Sequence, residues 1–127
     1  MKNINVSIVL FKNDKNLVKK TIYSCINSFL INKLYLIDNS PTDALRCLVN
    51  LDDRIIYIYN NANLGYGRAH NIAIKKSIDE NTPYHLILNP DVYFNRGVLE
   101  ELYKFMEMNK DVGLVIPKVL YSDGTDP

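Results

Sequence analysis

A chain of 127 residues with 47% hydrophobic side chains can build one core and is too apolar for a disordered tail. Its 15 basic and 14 acidic residues leave a formal charge of +1, which excludes the basic stripe expected of a nucleic-acid binder. The opening residues Met1 to Asn5 do not form a signal peptide, and no apolar run approaches the roughly 20 residues of a spanning helix, so a cytoplasmic protein without a transmembrane segment is expected.

Val6-Ser7-Ile8-Val9-Leu10-Phe11 is nearly continuous in apolar residues and reads as a strand buried on both faces. Val18, Ile22, Cys25, Ile26 and Phe29 then recur at helical spacing, with Asp14 placed to cap the helix start. Cys25 on that stripe reads as a small buried hydrophobe. Neither it nor Cys47 has zinc-type spacing, and no disulfide is expected in a cytosolic chain. Leu34-Tyr35-Leu36-Ile37 is a second strand, stopped by Asp38-Asn39-Ser40-Pro41 and followed by a short helix over residues 42–49. Ile55-Ile56-Tyr57-Ile58-Tyr59 is a third strand by its β-branched and aromatic content. It ends in Asn60-Asn61-Ala62-Asn63-Leu64-Gly65, after which a helix runs over 67–78 with Ala69, Ile72 and Ala73 on one stripe. Tyr84-His85-Leu86-Ile87-Leu88 is a fourth strand, broken by Asn89-Pro90-Asp91. A helix with Val98, Leu102, Phe105 and Met106 as its buried face comes next, then a fifth strand over 112–116 stopped by Pro117. Strands alternating with helices predict an α/β fold, a mostly parallel sheet with helices on both faces, in one domain over 1–127.

In such sheets ligands bind beyond the carboxyl ends of the strands. All four early strand exits here are rich in Asn, Asp and Gly, although these residues also punctuate loops for conformational reasons alone. Spacing therefore predicts a site for a nucleotide or another polar small molecule, without naming a reaction. Gly65 and Gly67 allow close approach of backbone, and the helix that follows offers N–H groups to a phosphate, with Arg68 as a nearby cation. The segment matches neither the P-loop nor the dinucleotide fingerprint. Asp91 is a lone carboxylate at a strand end, able to hold Mg²⁺ or Mn²⁺ if substrate phosphates complete the coordination, or simply part of a turn. His70 is expected on a solvated helix face and His85 as a packed or edge histidine.

The motifs Val6 to Phe11, Ile37-Asp38-Asn39-Ser40, Asn61 to Gly67 with Asn71, Leu88-Asn89-Pro90-Asp91-Val92, Val112 to Val119 and Asp123-Gly124-Thr125 span nearly the whole chain. In order and spacing the chain resembles family 2 glycosyltransferases of the GT-A, Rossmann-like fold, in their rhamnosyltransferase-like branch. The resemblance implies an inverting, metal-dependent transfer of a sugar from a nucleoside-diphosphate sugar, UDP- or dTDP-linked, to an acceptor hydroxyl, as in polysaccharide biosynthesis. It implies that Leu10 and Phe11 border the base, that Asp38 accepts hydrogen bonds from base or ribose, and that Asn63, Gly65, Arg68, Asn71 and Asn89 line the nucleotide sugar. Asp91 would bind the divalent ion. The family's acid-any-acid metal motif has Asn89 in its first acidic place here, which leaves Asp91 alone. The resemblance also implies an acceptor half, beyond this truncated donor half, that carries the general base; Asp111 and Asp123 are carboxylates with no assigned role. Pairing with that half or a homo-oligomer is expected through an apolar surface near 112–121, and the family suggests a peripheral place at the inner membrane face. The alternative reading is a non-catalytic nucleotide-binding or interaction module. A nucleotidyltransferase would show a Gly-rich basic loop after the first strand, where Phe11-Lys12-Asn13-Asp14 stands instead.

Overall fold

The computed structural model describes residues 2–126; Met1 and Pro127 lie outside the described residues. Strand β1 (Ile4–Leu10) is followed by helix α1 (Lys15–Ile26), β2 (Ile31–Asp38), a 3-10 helix (Arg46–Leu51), β3 (Ile55–Tyr59), α2 (Tyr66–Asp79), β4 (Tyr84–Leu88) and α3 (Val98–Met108). The strands form one four-stranded sheet in the order β3-β2-β1-β4, and every pairing is parallel. Strand order reverses at β1, whose neighbours are β2 on one side and β4 on the other.

β1 is buried along its whole length, because layers cover both faces. On one face Ile4, Val6, Ile8 and Leu10 pack with Leu34 and Leu36, with Val18, Ile22 and Cys25 of α1, and with Leu48 and Leu99. On the other, Val9, Tyr35 and Ile37 meet Ala69 and Ala73 of α2. Small residues on α2 let that helix approach the sheet closely. Burial pushes the Cys25 thiol up to about 12, so it behaves as the small hydrophobe its spacing predicts.

Asp14 caps α1 as expected, its Oδ1 accepting from the Asn16 and Leu17 backbone N–H groups at 2.8 and 3.2 Å. The helix stops at Ile26, one turn before the predicted stripe ends, and Phe29 is 90% exposed instead of buried. Arg54 explains the stop. Its guanidinium donates to the carbonyls of Ile26 and Ser28 at 2.6 and 3.1 Å while paired with Asp52, so carbonyls at the helix end are satisfied from outside.

Three further expectations change. The short helix forms as a 3-10 turn shifted to Arg46–Leu51, with Leu48 as its buried residue. α3 faces the core through Leu99, Leu102 and Tyr103, and Phe105 is 45% exposed, because the layer beside it ends at β4. No strand forms over 112–116: among the described residues none pairs with it as a strand, and Leu114 and Ile116 are 75% and 72% exposed. β-branched composition favours a strand only where a partner supplies hydrogen bonds and cover. No helix is long and apolar enough to cross a membrane among the described residues.

Candidate functional site

Parallel strands deliver all their carboxyl ends to one rim, and here a series of hydrogen bonds joins the exits. Asn39 N donates to Leu10 O at 2.8 Å, and Asn60 N to Asp38 O at 3.0 Å. Asn60 Nδ2 donates to Asn39 Oδ1 at 2.7 Å, which joins the third exit to the second, and Asn39 Nδ2 donates to Gly65 O at 3.2 Å, which ties the second exit to the start of α2. Tyr66 OH donates to Asn89 Oδ1 at 2.9 Å, which ties α2 to the fourth exit. Thr21 Oγ1 donates to Pro90 O at 2.8 Å and fixes the following turn against α1. Loop amides thus serve one another as partners, which is why this rim is so rich in Asn.

The residues expected at a site differ in what they can offer. Leu10 lies in the core with no exposed surface and its carbonyl taken by Asn39, so contrary to expectation it offers a base nothing directly, whereas Phe11 is 46% exposed. Lys12 takes a left-handed backbone (φ 54°), and its N–H donates to Ser40 Oγ at 2.8 Å. Asp38 is wholly buried: one oxygen accepts from Ser40 N at 2.9 Å and the other from the Tyr57 hydroxyl. Burial and that carboxylate hold the Tyr57 phenol well above its ordinary range. Asp38 therefore shapes the β2 exit in this conformation. Asn63 Oδ1 accepts from Gly65 N at 3.0 Å, and Asn63, Gly65, Arg68, Asn71, Asn89 and Asp91 are all exposed.

α2 begins differently from the other two α-helices. α1 has the Asp14 cap, and α3 has Glu100 and Glu101 in its first turn. α2 has no side-chain cap and no acid in its first turn, so the N–H groups of Tyr66, Gly67 and Arg68 lack intrahelical acceptors. Its N-cap Gly65 sits at φ 82°, ψ 171°, a conformation essentially closed to other residues. Arg68 makes no ion pair among the described residues.

No group of three or more His, Cys, Asp or Glu side chains converges among the described residues. An open groove of about 480 Å³ lies between the first turn of α3 and Pro117, lined by Arg96, Val98 and Glu101 among others, and includes none of the exit residues. Asp123, one of the unassigned carboxylates, closes a turn by accepting from Thr125 N and Oγ1.

His70 departs from expectation. It is 2% exposed, not solvated, and its Nδ1 lies 2.7 Å from Ser7 Oγ. Ser7 also meets His85 Nε2 at 2.7 Å, and His85 Nδ1 meets Ser77 Oγ at the same distance, so His85 is packed as expected. The sequence holds a sign of this arrangement in Asn5 and Ser7, polar residues at alternate places in a fully buried strand, which must have partners. Sequence places Asn39, Asn60 and Tyr66 in the exit motifs and Tyr57 in a strand, but their side-chain partners leave no periodicity to mark them.

Comparison with known proteins agrees with this architecture. The chain is 31% identical over 123 residues to the low-salt glycan biosynthesis hexosyltransferase Agl10 of Haloferax volcanii, covering 96% of this chain and 38% of that protein. It is 27% identical to the uncharacterized glycosyltransferase MJ1057 of Methanocaldococcus jannaschii, covering 94% and 42%. The chain thus spans about two-fifths of these relatives. The crystal structure of S. aureus TarS superposes with a TM-score of 0.70 over 94% of this chain and 24% of TarS; at 14% identity this is a likeness of fold. Residues 7–127 match the model of glycosyl transferase family 2, and the chain belongs to that family.

Proposed function

We propose that this chain binds the nucleoside diphosphate of a sugar donor at the joined strand exits, and that the complete polypeptide transfers the sugar to an acceptor hydroxyl with inversion. The observation that carries this reading is the start of α2. Among the three α-helices of the described residues it alone lacks both a side-chain cap and an acidic first turn, and it carries Arg68. Free N–H groups, the helix dipole and an unpaired guanidinium together suit a diphosphate. Phe11 offers an exposed ring beside the β1 exit for a base to stack on, and Asn63, Asn71 and Asn89 offer amides to ribose and sugar hydroxyls.

Asp91 suits a Mg²⁺ or Mn²⁺ ion that takes most of its oxygens from donor phosphate and water, because it is exposed and its side chain has no partner among the described residues. When bound there, such an ion would act as a Lewis acid toward the leaving diphosphate. The chain's own residues orient the donor: the Gly65–Arg68 turn grips the phosphates, and Tyr66 and Asn89 border the sugar. A general base for the acceptor hydroxyl is assigned to the part of the relatives that this chain does not match. A hexosyl donor is the choice favoured by the name of the Haloferax relative, and UDP and dTDP are the first nucleotides to try.

Thermal unfolding with a panel of nucleoside diphosphates, with and without Mn²⁺, tests the reading. A ligand at a hundredfold excess over its Kd adds about 2.7 kcal/mol of stability. Metal-dependent stabilisation by UDP or dTDP that Asp91→Ala abolishes is the expected result. Absence of any response to every nucleotide would instead favour a binding or interaction module that has kept the fold without the ligand.

A further inference from the structure

The buried contacts between α2, β1 and β4 form a directed series, and one end of it is unused. Lys33 N–H can only donate, and it donates to Asn5 Oδ1 at 3.1 Å. The Asn5 amide is thereby oriented with Nδ2 toward Ser77 Oγ, 3.0 Å away. Ser77 Oγ accepts there and has one proton to give. His85 Nδ1 at 2.7 Å is much nearer to it than Ala73 O at 3.3 Å. If Nδ1 accepts, the His85 proton resides on Nε2 and goes to Ser7 Oγ at 2.7 Å. Ser7 then gives its own proton to His70 Nδ1, also at 2.7 Å, and the proton of His70 must lie on Nε2. Burial holds both imidazoles below their ordinary pKa, His85 at about 4, so each carries a single ring proton near neutral pH.

His70 Nε2 is buried and has no hydrogen-bond partner among the described residues. The two nitrogens of an imidazole point away from one another, so Nε2 faces away from Ser7. The ring of Tyr66 stands edge-on against the His70 ring, with centroids 4.4 Å apart. Tyr66 is the first residue of α2, is 54% exposed, and is held over the rim by its hydrogen bond to Asn89. An unpartnered buried N–H is destabilising until an acceptor reaches it. Here it lies one helical turn below the proposed phosphate grip.

We propose that Ser7, His85 and Ser77 are positioning residues that keep the proton of His70 on Nε2, and that the Tyr66 ring is a gate which swings aside so that this N–H meets an oxygen of the bound donor. The inference rests on the donor-binding reading. It adds an uncharged donor beneath the diphosphate, distinct from Arg68, and a strap between α2 and the β4 exit that must open first. Breaking the strap in advance favours binding: Tyr66→Phe keeps the ring and removes the bond to Asn89.

The sequence has only 2 histidines, so long-range proton–nitrogen spectra of the histidine-labelled chain resolve every ring nitrogen. Near neutral pH the free chain should show both rings with the proton on Nε2. Addition of Mg²⁺ with UDP or dTDP should move His70 Nε2 more than any nitrogen of His85, and Tyr66→Phe should bind the nucleotide a few-fold more tightly. A proton on His70 Nδ1 would overturn the relay. A nucleotide that stabilises the chain yet leaves His70 Nε2 unmoved would overturn the contact while leaving the donor reading intact. If no nucleotide stabilises the chain, the donor reading fails and the contact with it.

Discussion

His85 and His70 are ordinary residues placed where protonation is costly. Burial, and for His85 the neighbouring His70, hold their folded-state pKa values below the ordinary 6.5. Below about pH 6.5 the unfolded chain therefore takes up protons that the folded chain refuses, and stability falls as pH drops toward the folded value. For His85 this window runs from 6.5 down to about 4. Its partial exposure reduces the effect, and a loss of roughly 1–2 kcal/mol is expected between about pH 7 and pH 5. That range lies above the carboxylates whose values are lowered, Asp52, Glu80, Glu107 and Asp123, so the histidines dominate it. Urea unfolding at the two pH values measures this directly, and equal midpoints would contradict the assignment. At this scale the sequence was least legible. Periodicity places a histidine at a helical position, but whether that position is solvated depends on how closely Ala69 and Ala73 let α2 approach the sheet, a tertiary fact.

The elements were read far more easily, because a strand covered on both faces or a stripe of apolar residues is written in local order. β3 and β4 fall at the predicted residues, and α2 differs by one residue at each end. The failures share a cause. Arg54, which is distant in sequence, ends α1, and among the described residues no strand pairs with 112–116. The start of α2 gives a paired expectation of opposite sign. A Cβ at Gly65 or Gly67 would meet nothing within 4 Å, so only backbone conformation separates them. Gly65→Ala at φ 82° should destabilise the chain by about 1–3 kcal/mol. Gly67→Ala, inside the helix, should stabilise it by about 0.4–1 kcal/mol. Thermal unfolding of both variants checks this; a Gly65 variant as stable as the parent would mean that the turn relaxes out of its strained conformation.

The whole molecule presents a covered sheet and, beyond α3, a strip with Leu114, Ile116, Val119, Leu120 and Tyr121 each at least 46% exposed. Apolar surface in such a run favours association, so sedimentation should show mass rising with concentration. A monomer at every concentration would contradict this. The strip was foreseen as apolar surface but misread as a strand, since composition reports the wish to be covered and not the geometry of the cover.

The central claim is that the strand exits and the uncapped start of α2 form one nucleotide site. Backbone amide shift mapping on adding Mg²⁺ with UDP or dTDP tests it most directly. The changes should fall on residues 10–13, 38–40, 60–71 and 89–91 together. Changes confined to the groove between α3 and Pro117, or scattered away from the four exits, would contradict it.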